Sequence, residues 1–581
     1  MYSKLKILFF FLSEMLFYSV ANAYEVPTAV QKKNLLLEVF TGIHCGNCPD
    51  GDVVTDQFYT AQPDILFPVD IHSGHYAVPS AGEPDYRIDA GEAIDLELNA
   101  NGYGYPGGAI NRRAYPEFQD ESLYVIGRSR WTKNGKNIRQ EDAPVNLWLK
   151  SVFDGTTREL KIEVEGYYTA EVDQTENFLN VLLIQDNIKG PQSGASLGNN
   201  YNHRHTLRAY ITPTFGDKIQ SPKKGDYFTR EYTYTLPESI KNVPLVAEEI
   251  EVIVFVSAGK TDVLNVTGSK PEYVNYNKPL AATLQAPKPP LTGRYGYNYF
   301  EAILKNNSDQ TITTAGFNIT VNGATQAVAW TGDLPAFHEK PIRINVSPYN
   351  IQEENQYTIR LVSLNETTVS GNSLSGSFFQ PTEASTRIYV EIKTDNYADE
   401  NRFLIKDANG NTVKELGPYP AGTSEVYNDT IDLELSKIYG FEVIDAWGDG
   451  VLSPRGYYKL RKDDKTLIAQ NLNITTFGDK FFFRTTSQSG VLLPSIRQAQ
   501  TNTQVNYDKK TLELSFEAIA SGVATIAVYS VTGKLWLNQT VAVSAGTTCQ
   551  TSLPIPSVPA GVYVLSIIQQ DKRESIKLVL E

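Results

Sequence analysis

Apolar and polar residues alternate in short runs along most of this chain. In "RELKIEVEGYY", Leu160, Ile162 and Val164 fall at every second position between charged neighbours, which predicts a half-buried strand. "FLNVLLIQDN" and "EIEVIVFVSAG" are of the same kind. "NLLLEVF" (Asn34 to Phe40) is instead continuously apolar around Glu38, as expected of a central strand covered on both faces. The pattern changes once, early in the chain. "PDGDVVTDQFYTAQ" places Pro49 where a first helical turn accepts proline, followed by Val53, Val54 and Phe58 at helical spacing. "ILFPVDIH" (Ile65 to His72) predicts a second strand, "DYRIDAGEAIDLELNANG" is partly helical, and "GYPGGAINRRAY" is a turn entering a third strand. From about Asp142 the pattern predicts only strands, with "QAPKPPLTG" as a proline-rich connection.

This organisation predicts a multidomain protein, an α/β domain followed by several all-β sandwiches, because 581 residues exceed what one core holds. The expected boundaries are 24–142 for the α/β domain, 143–284 for a β-sandwich and 285–381 for an immunoglobulin-like domain. A jelly-roll-like domain (382–487), a linker (488–498) and a terminal domain (499–581) complete the chain. The opening segment reads as a signal peptide, residues 1–23: Lys4 and Lys6 precede an apolar run from Ile7 to Val20, and Ala21-Asn22-Ala23 forms a cleavage pattern. Glu14 interrupts the run, and no later segment is long and apolar enough to span a bilayer as a helix. The mature chain is expected to be exported, with no transmembrane helix.

Composition narrows the partners. A net charge of −14 and a pI near 5.1 exclude nucleic acid, whose phosphates would be repelled. Three cysteines are too few for a disulfide scaffold, so the later domains must rely on apolar burial. Cys549 is expected to be a buried small apolar residue.

The other two cysteines stand in "FTGIHCGNCPDGD". A thiolate is the nucleophile of disulfide exchange, and a helix N-terminus stabilises it. Cys45 is expected to lie uncovered at the loop and attack, and Cys48, one turn on, to resolve the mixed disulfide. Asp50 and Asp52 oppose thiolate formation at the helix start. Two other readings stay open. In one, the pair is a structural disulfide in a surface adhesin or binding protein, since an exported protein meets an oxidising environment. In the other, Cys45 and Cys48 join His44, His72 and His75 of "DIHSGH" in a zinc site. Elsewhere, His203 and His205 share a strand face. Asp445 and Asp449 of "IDAWGDGVLSP", with Asp395 and Asp399 of "KTDNYADEN", supply clustered carboxylates of the type calcium takes, or simply shape a tight turn. The exchange and staple readings require no cofactor; zinc or calcium belongs only to the two metal readings.

Three features of the first domain resemble thioredoxin-fold proteins: an acid in the preceding strand, Cys-x-x-Cys opening a helix, and an X-Pro turn before a later strand. The resemblance implies that Glu38 accepts the proton of Cys48 and that Pro106 is a cis-proline facing the disulfide. His44 and Asn47 depart from the family's usual tryptophan and proline. "LLLEVFTGIHCGNCPDGD", "GYPGGAINR" and "NNYNHRHTLRAYIT" together resemble the outer-membrane-protein-28-related family over roughly residues 30 to 270. At the other end, "VYSVTGK", "PAGVYVLSI" and "KRESIKLVLE" resemble the C-terminal sorting domain of type IX secretion cargo. These resemblances imply passage through the periplasm, the type IX secretion machinery as a partner, and a place on the outer-membrane surface or in the medium. A protein thiol or disulfide substrate, or a host surface ligand, is the further partner they leave open.

Overall fold

The computed structural model describes residues 24–580, apart from 119–122, 173–175, 221, 288–292, 453–454, 476–477, 488–502, 508–510, 531–533, 555–560 and 571. The signal-peptide reading of residues 1–23 and the linker 488–498 lie outside the described residues.

Strand β1 (Leu35–Thr41) is fully buried and leads through the cysteine loop into helix α1 (Cys48–Ala61). Strand β2 (Leu66–His72) returns parallel to β1, with Leu35 opposite Leu66 and Thr41 opposite His72. After helix α2 (Asp89–Leu98), β3 (Gly107–Ile110) runs antiparallel to β1, and β4 (Ile126–Gly127) pairs with β3. Helix α3 (Trp131–Arg139) closes the segment. Successive residues of β1 serve opposite faces. Leu35, Leu37 and Val39 pack with Phe58 of α1 and with Trp131 and Ile138 of α3, while Leu36 and Phe40 pack with Ile94 and Leu98 of α2.

The chain continues through β5 (Val145–Asp154), β6 (Glu159–Tyr168), β7 (Glu176–Gln185), β8 (Ile188–Gly190), β9 (Tyr201–His203) and β10 (Thr206–Tyr210). Strands β11 (Tyr227–Thr235), β12 (Ile250–Ala258) and β13 (Thr261–Ser269) follow. The boundary expected at 142/143 falls inside one nine-stranded sheet of order β13-β12-β7-β10-β2-β1-β3-β4, with Asp217–Gln220 paired beside β7. The join is β10 against β2, where Thr206 lies opposite Asp70. Strands β5, β6 and β11 form a second sheet. Leu160, Ile162 and Val164 from β6 pack with Val181, Leu183, Val252 and Val254 of the first sheet, completing a sandwich. The alternation of β6 is therefore read correctly, but its partner sheet also carries the α/β segment.

The remaining chain is all β. One core gathers Phe300, Phe317, Ile342 and Leu361, the next Ile388, Phe403, Phe441 and Leu460, and the last Leu514, Ile526, Val528 and Leu565. The architecture is multidomain and mostly β. Cys549, on a strand opposite Phe516, is half-buried, so the expectation of full burial fails there; what burial it has pushes its thiol pKa up.

The chain also folds back on itself. The 445–450 turn of the fourth expected domain rests on α1: Trp447 lies against Phe58 with ring centroids 5.9 Å apart, and Gln62 Nε2 donates to the Ala446 carbonyl at 2.6 Å. At Gly448 (φ +79°) a Cβ would stand 2.8 Å from the Gln57 carbonyl oxygen, so this approach needs glycine.

Candidate functional site

Cys45 and Cys48 form a disulfide across the start of α1. Pro49 occupies the first turn, and the bend is held by Cys45 N donating to Gly42 O at 2.9 Å. Both cysteines are buried, Cys45 at 2% and Cys48 at 1% exposure, which corrects the expectation that Cys45 lies uncovered. The cover comes from the segment between β8 and β9, far along the chain. Gln192 Nε2 donates to the carbonyls of Cys45 (2.9 Å) and Gly42 (3.1 Å), and Ser193 N donates to Ile43 O at 2.8 Å. Gly194, at φ +81°, presses so closely that a Cβ there would stand 2.0 Å from the Gly46 carbonyl oxygen. No pattern in the Cys-x-x-Cys stretch announces this cover.

The Tyr105–Pro106 peptide is cis, and Pro106 is buried against α1, its Cβ 2.9 Å from where a side chain on Gly51 would begin. Glu38 sits elsewhere. It shares the β1 face of Leu36 and Phe40, opposite α1, and takes both ends of the Arg112 guanidinium: Nε to Oε2 at 2.7 Å and Nη2 to Oε1 at 2.6 Å. Both side chains are 1% exposed. Arg112 also donates to the Lys260 carbonyl at 2.9 Å and stacks over Phe255. The geometry thus gives Glu38 to Arg112, not to Cys48. The neighbouring Asn111 accepts the Leu36 N–H at 2.8 Å, so "INR" works as a bracket for β1. Arg112 was visible only as a residue of the motif, and its role needed the fold.

The histidines do not converge on the sulfurs, which are bonded to each other. His44 Nε2 lies 3.0 Å from Glu83, and His75 Nδ1 lies 3.1 Å from Asn101 Oδ1. His72 is buried, packed edge-on against Tyr86 (5.0 Å) and His203 (5.4 Å), and neither of its ring nitrogens has a hydrogen-bond partner among the described residues. Burial, helped by His203 and Arg208, holds the His72 pKa well below the usual imidazole range. His203 is pushed down to about 4 by burial, against the pull of the Pro191 carbonyl. His205 turns away from His203, toward Tyr59 and Asp186.

Asp445 and Asp449 do meet, with Glu400, the one group of three acids or other ligands among the described residues whose ligand atoms lie within 4.8 Å of one another. Such oxygens suit calcium, and Lys136 of α3 already places its ammonium there, 2.6 Å from Glu400 and 2.9 Å from Asp449. Asp445 serves the turn, accepting the N–H groups of Trp447 (3.0 Å) and Gly450. Burial, only partly offset by Lys136, pushes Glu400 up to about 8. Sequence reading passed over Glu400 in favour of its neighbour Asp399, and missed Lys136, which stands far along the chain from either acidic stretch.

Residues 95–274 match the family model of outer membrane protein Omp28, and residues 506–581 match that of the secretion system C-terminal sorting domain. The protein therefore carries an Omp28 segment and a type IX sorting tail, which place it on the outer-membrane surface or outside the cell. The tail makes the type IX machinery its partner in export. No helix among the described residues is long and apolar enough to cross a membrane. Among solved structures, HBP35 of Porphyromonas gingivalis is 17% identical, covering 60% of this chain and 99% of that one (TM-score 0.30). A domain of the outer membrane lipoprotein Omp28 from the same organism is 20% identical over 22% and 90% (TM-score 0.17). Bacteroides ovatus SGBP-B, solved with a mixed-linkage heptasaccharide, is 10% identical over 69% and 87% (TM-score 0.12). No curated protein sequence matches the chain.

Proposed function

We propose that this is a non-catalytic surface binding protein in which Cys45–Cys48 staples a thioredoxin-like core. The order β2-β1-β3-β4, the cysteine pair between β1 and α1, and α1 and α3 on one face all support the thioredoxin-like reading. The burial of Cys45 beneath Gln192 to Gly194 carries the functional one, because an attacking thiolate must reach its substrate's sulfur in line. A disulfide closed over so few residues still restricts the unfolded loop, by about 2 kcal/mol on the chain-entropy relation. Thiol–disulfide exchange would require the 191–200 segment to lift away.

The test is insulin reduction by dithiothreitol with the mature protein and its Cys45→Ser variant, alongside alkylation after a brief dithiothreitol pulse applied to native and to urea-unfolded protein. Equal insulin rates for the two proteins are expected, and the pulse should reduce Cys45–Cys48 in the unfolded protein but not in the native one. A wild-type rate well above that of the variant would restore an oxidoreductase.

A further inference from the structure

On the other flank of α1 lies a cavity of about 860 Å3, closed on its far sides by the β9–β10 segment, by the end of β13, and by residues 337–339 of the next domain. Two of its three long basic side chains are paired with acids, and the third keeps its charge against a carbonyl. Arg204 pairs with Asp56, Lys305 with Glu249 at 2.6 Å, and Lys270 Nζ donates to the Glu248 carbonyl at 3.1 Å. That leaves Asp64, Asp70, Glu251 and Glu339 on the walls, with Asp52 accepting the Tyr201 hydroxyl and Asp186 accepting the His205 N–H at 2.7 Å. Asp70 is 8% exposed, and its Oδ1 has no hydrogen-bond partner among the described residues. Leaving such a group without a counter-charge is costly.

We infer that this cavity binds an extended organic polycation, with ammonium groups set among Asp70, Asp186 and Glu251 and methylenes against Tyr59, Tyr201 and Phe337. The reading rests on the chain being a surface binding protein, but not on the state of its cysteines. The spread of the acids selects the ligand class. They do not form a cluster tight enough for one ion, since the group that does is Glu400, Asp445 and Asp449, and a calcium ion needs its six to eight oxygens at about 2.4 Å. Ammonium groups spaced along a flexible chain can instead meet carboxylates one by one, and the part-exposed rings of Tyr59 and Tyr201 offer cation–π faces. The carboxyls also behave as groups awaiting a counter-charge. Burial, then Asp52 and Asp186, raise Asp70 above the usual carboxylate range, and burial with Asp186 pushes Glu251 up to about 7, with Lys270 pulling it back.

Titration calorimetry of the full mature chain tests this with spermidine and with a trilysine peptide as separate probes, and with calcium chloride as a third arm. Saturable binding of either polycation is expected, and whichever binds more tightly names its source as a free polyamine or a peptide. Asp70→Asn with Glu251→Gln should weaken it roughly tenfold or more. Glu339→Gln, at the exposed rim and harmless to folding, should weaken it about threefold. Glu171→Gln with Glu231→Gln changes net charge equally at exposed positions and should leave it unaltered. No binding of either polycation, binding indifferent to the cavity variants, or calcium alone displaced by them would overturn the assignment. None of these results bears on the insulin assay, so the two readings fail separately.

Discussion

Helix α1 divides two regions made from the same strands with opposite character. At its N-terminus Cys45 and Cys48 are buried, Cys45 beneath a loop from a distant part of the chain, and His72 and His203, packed against each other, are buried too. Along its flank Asp52, Asp56 and Tyr59 line an open acidic cavity. The first region carries the residue types usually read as reactive, yet its sulfurs are bonded and covered. The second carries no recognisable motif, yet it has room and unbalanced charge. Reactive residue types acquire chemistry only where substrate can reach them, and access is a property of what packs on top.

The comparison is broken most forcefully next to the covered region. Arg112→Met leaves the Glu38 carboxyl at the centre of the sheet without the guanidinium it pairs with, and a loss of about 3–5 kcal/mol in urea denaturation is expected. A loss below about 1 kcal/mol would show that the pair matters little.

The two regions should also answer pH with opposite signs. His203 stays neutral in the fold down to about 4, whereas the unfolded chain takes up its proton near 6.5. Its contribution is therefore complete above pH 6.5 and lost as pH falls toward 4, at up to about 1.4 kcal/mol per unit. His203→Phe should flatten the acid limb of a stability–pH curve, and an unchanged limb would place the sensitivity elsewhere. Glu251 runs the other way. The fold holds its proton up to about 7 while the unfolded chain releases it near 4.5, so stability is lost as pH rises across that interval. Glu251→Gln removes that loss and should raise stability by up to about 3 kcal/mol at pH 8 and by nothing at pH 4. A decrease at pH 8 would mean that the carboxylate already has a partner.

How much of this was legible beforehand depended on the range of the interaction. The elements around the cysteines follow from local signals: Pro49 at a helix start, apolar runs for β1 and β2, strict alternation in β6. The export signals at the C-terminus are equally local, being blocks of sequence in order. The fused nine-stranded sheet was not legible, because nothing in "NHRHTLRAY" says that Thr206 will pair with Asp70 rather than end a separate sandwich. Glu38 was rightly picked as a buried acid of a central strand, but the residue it serves stands 74 positions away.

By itself the sequence determined the secondary structure of the core segments, their mostly β, multidomain character and the protein's address, because these depend on periodicity and on short contiguous motifs. Only the tertiary structure decided that Gln192 to Gly194 would cover Cys45, that Lys136 would enter the carboxylates of Glu400 and Asp449, and that the acids around Asp70 would share one cavity. Those outcomes arise from contacts between residues far apart in the chain, where burial and electrostatics depend on what arrives from elsewhere.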